Sequence, residues 1–419
     1  MDVKLRRWVA VPLAGCLIQL AAACGDGPTE PHGKIEGLPR PLDVSETAVV
    51  NANNRFGFDL LRQLNAADPD SNIFISPLSA SMALGMTLNG AAGSTYDAMR
   101  ATLGFGELSN EAINQSYRGL IDLLIDLDPR VTFGLGNSIW YREGFPVEQD
   151  FLDTTGEYFD AEVSALDFDD AAAADVINGW VETETAGKIE QIIDPPIDPQ
   201  TVMFLINAIY FNGTWTYEFD KSETEQAPFH RSDGSTVPVM FMAQQTDLAY
   251  AHDEGYQAVD LPYGGEAYSM TVVLPREGVD IDSLIAELDA DSWEALLADA
   301  RVTGLELHLP RFRLEYEKVL NDALKALGME VAFVDGAADF SRIAPGWQLF
   351  ISQVKQKTFV KVDEEGTEAA AVTSVEVGYT SIPSGPPVLR VDRPFLFAIR
   401  ERFSGTVIFV GKIVDLPPA

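Results

Sequence analysis

Apolar side chains recur at helical spacing over residues 51–67, where Phe56, Leu60, Leu61 and Leu64 fall on one face. Asn72-Ile73-Phe74-Ile75 reads as a short apolar strand stopped by Ser76-Pro77. Helical periodicity resumes over 78–89, 96–103 and 112–126. Residues 131–141, rich in β-branched and aromatic side chains, predict a strand. A helical stretch at 175–185 precedes the near-continuous apolar run 201–211, which suits a strand covered on both faces. From 237 onward strands dominate, at 257–261, 268–274, 304–310, 359–362 and 388–391, with helical periodicity at 281–297 and 316–327 between them. Two apolar strands, 395–401 and 405–414, joined by Arg402-Phe403-Ser404, end the chain as a hairpin. Helices gather early and strands late, without βαβ alternation, so the pattern predicts an α+β fold.

A chain of 419 residues carries a prior of two or three domains. No linker-like stretch interrupts it after Asp43, and no internal repeat is found. One large domain over 43–419 is therefore expected. With 46% hydrophobic residues it has ample material for a core, which excludes global disorder.

Residues 1–23 read as an export signal: Lys4, Arg6 and Arg7, then a mostly apolar run ending in small residues. Both cysteines sit in this region. Leu13-Ala14-Gly15-Cys16 matches a bacterial lipobox letter by letter but leaves almost no apolar segment before it. Ala21-Ala22-Ala23-Cys24 follows a signal core of normal length, so Cys24 is the favoured lipid site and Cys16 the alternative. An ordinary secretory peptide without lipid is the third reading. Residues 24–42 are rich in Gly and Pro and read as a flexible tether. An exported or membrane-anchored protein facing the periplasm or cell exterior is expected, touching membrane only through that lipid. The folded part has no cysteine, so its core alone must hold it together.

Charge narrows the chemistry. With 29 Lys+Arg against 64 Asp+Glu, the net charge of −35 excludes phosphate-gripping basic surfaces and hence nucleic acid. The leader contributes a net +2 through Lys4, Arg6, Arg7 and Asp2, so without it the chain stands at −37. Such a field favours fast capture of basic partners, slowed by salt. Four histidines (His32, His230, His252, His308), no two within a helical turn, argue against a metal centre, and neither metal nor cofactor is expected. No nucleophile elbow, zinc helix or dinucleotide fingerprint occurs. The Gly90–Thr95 segment lacks the lysine of a phosphate loop and reads as a turn between helices. Asn114-Gln115-Ser116 and Asn212-Gly213-Thr214 fit a glycan acceptor pattern, weakly beside a bacterial-type leader. An enzyme is not expected.

Residues 363–388 resist an ordinary reading. Thr367 to Ala371 could begin a helix, 372–377 prefers extended structure, and Pro383, Pro386 and Pro387 forbid both helix and central strand. Written as a strand, one face carries Thr367, Ala369, Ala371, Thr373, Val375 and Val377, all small or β-branched. The other carries Glu368, Ala370, Val372, Ser374, Glu376 and Gly378. A loop that only stays in water has no need of such a face.

At this point the sequence resembles the serpin family. Glu364-Glu365-Gly366-Thr367-Glu368-Ala369-Ala370-Ala371 resembles the reactive-loop hinge of inhibitory members, and 389–397 resembles the C-terminal signature. Asn72 to Ser79 and Asn207 to Trp215 resemble two further family stretches, and the likeness runs in order from about 43 to 417. It implies a single α+β domain of helices packed on three β-sheets, with an exposed reactive-centre loop. It implies a monomeric, irreversible suicide inhibitor of serine, or secondarily cysteine, endopeptidases. The loop is cut, and its first part then enters the main sheet as a strand.

Residue by residue, the resemblance makes Gly366 the pivot and Thr367 the first residue to enter. Family spacing places the cut at Thr380–Ser381, with Tyr379 as the fallback specificity residue. Thr380 suits an elastase-like partner; Tyr379 suits a chymotrypsin- or subtilisin-like one. Ser76, Ser79 and Asn207 match polar residues beneath the sheet opening. Gln356 stands where animal members often carry histidine, so a polar cluster without pH sensitivity is expected. Glu364 and Arg311 match a family ion pair. No basic cluster marks the early helices, so no heparin-like activator is expected. The rival reading is a non-inhibitory member acting as a surface binding or structural protein.

Overall fold

The computed structural model describes residues 33–367 and 385–418. Cys16 and Cys24 lie outside these residues, as do Glu368, Ala369, Ala370, Ala371, Tyr379, Thr380 and Ser381.

Several helices begin where a short polar side chain satisfies one of their first free N–H groups. Asp43 caps α1 (Val44–Ala67) in a capping box with Glu46. After β1 (Ile73–Ile75), Ser76 caps α2 (Pro77–Gly90), with proline at the first helical position. Then follow α3 (Gly93–Thr102), α4 (Asn110–Leu124, capped by Ser109), β2 (Val131–Arg142), α5 (Gln149–Phe159), β3 (Ala161–Leu166) and α6 (Ala173–Glu184). Next come β4 (Met203–Thr214), β5 (Glu225–His230), β6 (Thr236–His252), β7 (Tyr256–Tyr263) and β8 (Tyr268–Pro275). Two short helices, α7 (Ile281–Glu287) and α8 (Ala290–Asp299), lead into β9 (Arg301–Pro310), β10 (Phe312–Val319) and α9 (Asn321–Leu324). The chain finishes with β11 (Lys355–Val362), β12 (Gly366–Thr367), β13 (Val388–Arg390), β14 (Phe395–Glu401) and β15 (Val407–Ile413).

Two expectations need correction. The helix expected over 281–297 is two helices, because Asp289 forms a capping box with Ser292 and starts a new one. The helix expected over 316–327 begins as strand. Residues 312–319 alternate between buried and exposed and pair with 362–355 along the whole of β10. The helical spacing of Tyr316, Leu320 and Leu324 lost to an eight-residue ladder.

Among the described residues the expected three sheets appear as two hydrogen-bonded networks, of nine and six strands. The long strand β6 joins two layers into one. Its first part pairs with β5, its residues 241–250 pair with β9, and its residues 249–252 pair with β7. The six-stranded sheet runs β10-β11-β12-β4-β2-β3 and is the one that matters for function. Its inner face joins the main core with α1, α2 and the β14–β15 hairpin. Its other face, through Trp140 and Ile206, shares a separate small core with Ile177 and Val181 of α6. The described residues from 34 onward form one compact unit. Neither glycan triplet offers a free acceptor amide. Asn114 is buried in α4 and donates to Asn89, and Asn212 lies within β4. Among the described residues no helix is long and apolar enough to cross a membrane.

Candidate functional site

The site is built on the two-residue strand β12. It enters the six-stranded sheet between β11 and β4, and Thr367 stands opposite Val362 on one side and Gly213 on the other. Thr367 is 2% exposed, so the first residue expected to enter the sheet is already inside it. Among the described residues no ladder joins β4 directly to β11; β12 is their link.

A tight turn makes this possible. Asp363 N–H donates to Gly366 O at 3.0 Å, and Trp215 N–H reaches Glu365 O at 2.9 Å. Gly366 has φ +150, and a Cβ there would lie 2.1 Å from Gly213 O, so only glycine fits. The pivot expected at this position is thus a place of close backbone approach. Beneath it, the Tyr263 phenol hydrogen-bonds the Thr367 hydroxyl at 2.6 Å and stacks on Trp215 with ring centroids 4.4 Å apart. The Trp215 indole N–H in turn donates to Asp363 O. Burial drives the Tyr263 phenol far above its ordinary pKa, so it stays neutral.

Carboxylates anchor the turn from above. Arg311 Nε donates to Glu364 Oε1 at 2.6 Å, and its Nη2 reaches the same oxygen. Thr224 also donates to Glu364. The Glu364 side chain is nearly fully buried while Arg311 keeps one edge in water. Removing the arginine would leave a buried unpaired charge, a loss on the order of 3–5 kcal/mol. Lys221 pairs with Glu365 and Lys361 with Asp363. The hydrogen bond to Glu365 holds the Lys221 ammonium above its usual pKa.

The second part lies lower, under the same sheet. Gln356 on β11 accepts from Ser76 N–H at 3.0 Å and donates to Ser76 O at 2.9 Å. Ser76 Oγ donates to Ile408 O and accepts from Ser79 N–H. Ser79 Oγ reaches Asn207 O at 3.3 Å. The structure therefore brings Ser76, Ser79, Asn207 and Gln356 into one connected network. Sequence reasoning missed Asn137, which accepts from Asn207 Nδ2 at 2.7 Å and carries the network to Phe159 O. It also missed Thr358, whose hydroxyl donates to Phe74 O. Trp215 was within reach, at the end of the Asn207–Trp215 stretch. Tyr263, Lys221 and Thr224 carry no local sequence signal and are assembled only by topology.

A profile of the family Serpin (serine protease inhibitor) matches residues 51–416. The chain belongs to the serpin family. Iripin-2 of Ixodes ricinus is 35% identical over 377 residues, covering 88% of this chain and 94% of that protein. Among solved structures, the thermophilic serpin tengpin in its native state superposes with a TM-score of 0.81 at 33% identity, covering 90% of this chain and 96% of tengpin. Human thyroxine-binding globulin, solved with its hormone, also reaches 0.81, at 29% identity and covering 90% and 100% of the two chains. Serpins are typically protease inhibitors and not enzymes, although some do not inhibit.

Proposed function

We propose that this serpin is inhibitory: a suicide substrate cut at Thr380–Ser381, with Tyr379 as the fallback specificity residue. Its partner is a serine endopeptidase of elastase-like or chymotrypsin/subtilisin-like specificity, with cysteine endopeptidases as a second class. The observation that carries this reading is Thr367, buried and paired on both sides between β11 and β4. After cleavage, β12 lengthens downward through Glu368, Ala369, Ala370 and Ala371.

Register arithmetic supports the idea. Stepping on from Thr367 sets Glu368 opposite Lys361 and Asn212, and Thr373 opposite Gln356 and Asn207. Lys361 is exposed and oppositely charged to Glu368. Asn207 Oδ1 is buried and has no partner among the described residues, so a hydroxyl arriving there would find an acceptor. The face from Thr367 to Val377 that follows Thr367 inward carries no charge. Extra backbone hydrogen bonds and apolar burial then drive the insertion.

The test is to mix the protein with elastase-, subtilisin- and chymotrypsin-like proteases. Complexes that survive boiling in detergent are expected; cleavage without trapping sinks the reading. A non-inhibitory binding role is the second reading, favoured only by the likeness to thyroxine-binding globulin.

Residues 1–23 we read as a leader and those from 24 on as a tether bearing a lipid on Cys24; the tether expected over 24–42 is shorter than that, because Ile35 N–H donates to Gly265 O at 2.8 Å, Lys34 pairs with Glu266 and Leu42 packs on the core. Radiolabelled fatty acid should enter the protein in bacterial cells and be lost in Cys24→Ser. Label retained by that variant but lost in Cys16→Ser would move the anchor to Cys16.

A further inference from the structure

Ten residues separate Cys24 from Lys34, where the compact body begins. There the chain is fastened. Ile35 N–H donates to Gly265 O on the turn between β7 and β8, and Lys34 pairs with Glu266 at 2.8 Å. Arg402, on the turn between β14 and β15, holds the same Glu266 oxygen at 3.0 Å. The β7–β8 turn also supports the hinge. Gly264 N–H donates to Thr214 O at 2.8 Å, Thr214 stands opposite Gly366, and Tyr263 holds Thr367. The other root of the reactive loop lies at the same end. Arg390 of β13 stands opposite His308, three residues before the Arg311 that grips Glu364. The N-terminal segment therefore leaves the body at the end that bears the reactive loop. The opposite end is far away. Strand β2 runs from Val131, opposite Gly213, to Tyr141, opposite Met203, about 34 Å of extended chain.

Chain length sets the distance to a surface. Ten residues span at most about 35 Å, and on average about 17 Å for a Gly-rich tether. A protease of roughly 220 residues is about 40 Å across and does not fit between the loop end and a bilayer that close. It fits beside the loop, level with the surface. We propose that, anchored through Cys24, the protein holds its reactive-loop end toward the lipid surface, and that its partner is an endopeptidase seated on that same surface and not one free in bulk solution. This placement rests on the inhibitory and lipid readings above and adds where the partner is met. Two proteins held on one surface meet at a raised effective concentration, and the root of the tether decides whether they meet loop first.

The leaderless chain from Cys24 has a single thiol, so it can be coupled to a maleimide lipid in phosphatidylcholine vesicles whether or not cells add a fatty acid. The reversed anchor is Cys24→Ser/Trp347→Cys, coupled through a spacer of about 35 Å. Trp347 is 54% exposed and packs on Phe145, just past the far end of β2. Trapping is timed with the protease free in solution, and with the same protease held on the vesicles by a polyhistidine tag and a nickel-chelating lipid. The ratio of surface to free association rate should be about tenfold higher for the Cys24 anchor than for the reversed one. An equal or lower ratio overturns the proposal. Each ratio is internal to one protein, so a variant that traps more slowly for structural reasons does not alter it. If the protein is cleaved without trapping, the inhibitory reading falls, and the rates of loop cleavage supply the same ratio. If cells add no fatty acid, the lipid reading falls while the ratio still decides the orientation.

Discussion

The Tyr263 phenol holds the Thr367 hydroxyl at 2.6 Å, and both side chains are buried. Tyr263 closes β7 of the nine-stranded sheet, whereas Thr367 is the last described residue of the hinge in the six-stranded sheet. One hydrogen bond thus ties the entry point of the loop to the other layer of the fold, with the Trp215 ring stacked as its floor.

Thr367→Arg puts a long cation into this closed space. Burying it without a partner costs several kcal/mol, more than the hydrogen bond it replaces. The variant should be cleaved at the reactive bond but fail to trap, so inhibitor consumed per protease rises steeply. Undiminished inhibition would mean that insertion is not the mechanism.

Gly366→Ala tests the turn without changing charge. The added methyl would meet Gly213 O at 2.1 Å and Thr214 Cα at 2.8 Å, both backbone atoms. The strand β12 must then leave the sheet or push β4 aside. We expect a loss of about 1–3 kcal/mol in unfolding free energy and faster proteolysis within 363–367. An unchanged melting curve would show that the turn relaxes freely.

Gln356→Ala removes both bonds to the Ser76 backbone and leaves its buried N–H unpaired, while its C=O keeps the bond from Ala80 N–H at 3.1 Å. That orphaned donor costs about 1–3 kcal/mol, so urea unfolding should report a loss of that order. Ser79→Ala, which removes a single 3.3 Å contact to Asn207 O, should cost clearly less. Equal losses would break the assigned hierarchy.

Much of this was legible in the chain. The apolar run at 201–211 and the terminal hairpin follow from side-chain alternation, whereas the first helix, expected from 51, starts at Val44 because Asp43 caps it there. The hinge resembles its family closely enough to name Gly366 and Thr367 in advance. Two kinds of feature stayed hidden. Strand β10 and the break at Asp289 depend on a partner strand and a local cap that compete with helical periodicity. Tyr263, Asn137, Lys221 and Thr224 join the site from distant elements, and no local pattern marks a residue whose role is set by what folds against it.

Glu401 supplies a pH test away from the loop. It is fully buried in the β14–β15 turn, where it accepts from the N–H groups of Phe403 and Ser404 at 2.7 Å each. Burial raises its carboxyl pKa despite those bonds. A folded pKa above the unfolded one means that the protonated form is favoured by folding. Its contribution is full below the unfolded value and declines as pH rises through the raised folded value. Glu401→Gln cannot titrate. The stability difference between the two proteins should therefore move in favour of the glutamine variant on going from about pH 4 to pH 7. A constant difference across that range would remove the assigned cause.

Lys361→Glu probes the path of insertion. Lys361 is exposed on β11, pairs with Asp363 at 2.8 Å, and stands one step below the Val362–Thr367 pair. The register sets Glu368 directly across from it, so reversal would place two carboxylates side by side in the growing sheet. A cross-strand pair of this kind is worth about 0.2–1 kcal/mol. The stoichiometry of inhibition should therefore rise by up to about fivefold, while the rate of loop cleavage stays the same. The swap Lys361→Glu/Glu368→Lys restores opposite charges and should recover most of the loss, which a double-mutant cycle reads directly. If the single variant inhibits normally, or the swap fails to rescue it, the loop does not continue in the register begun by Thr367.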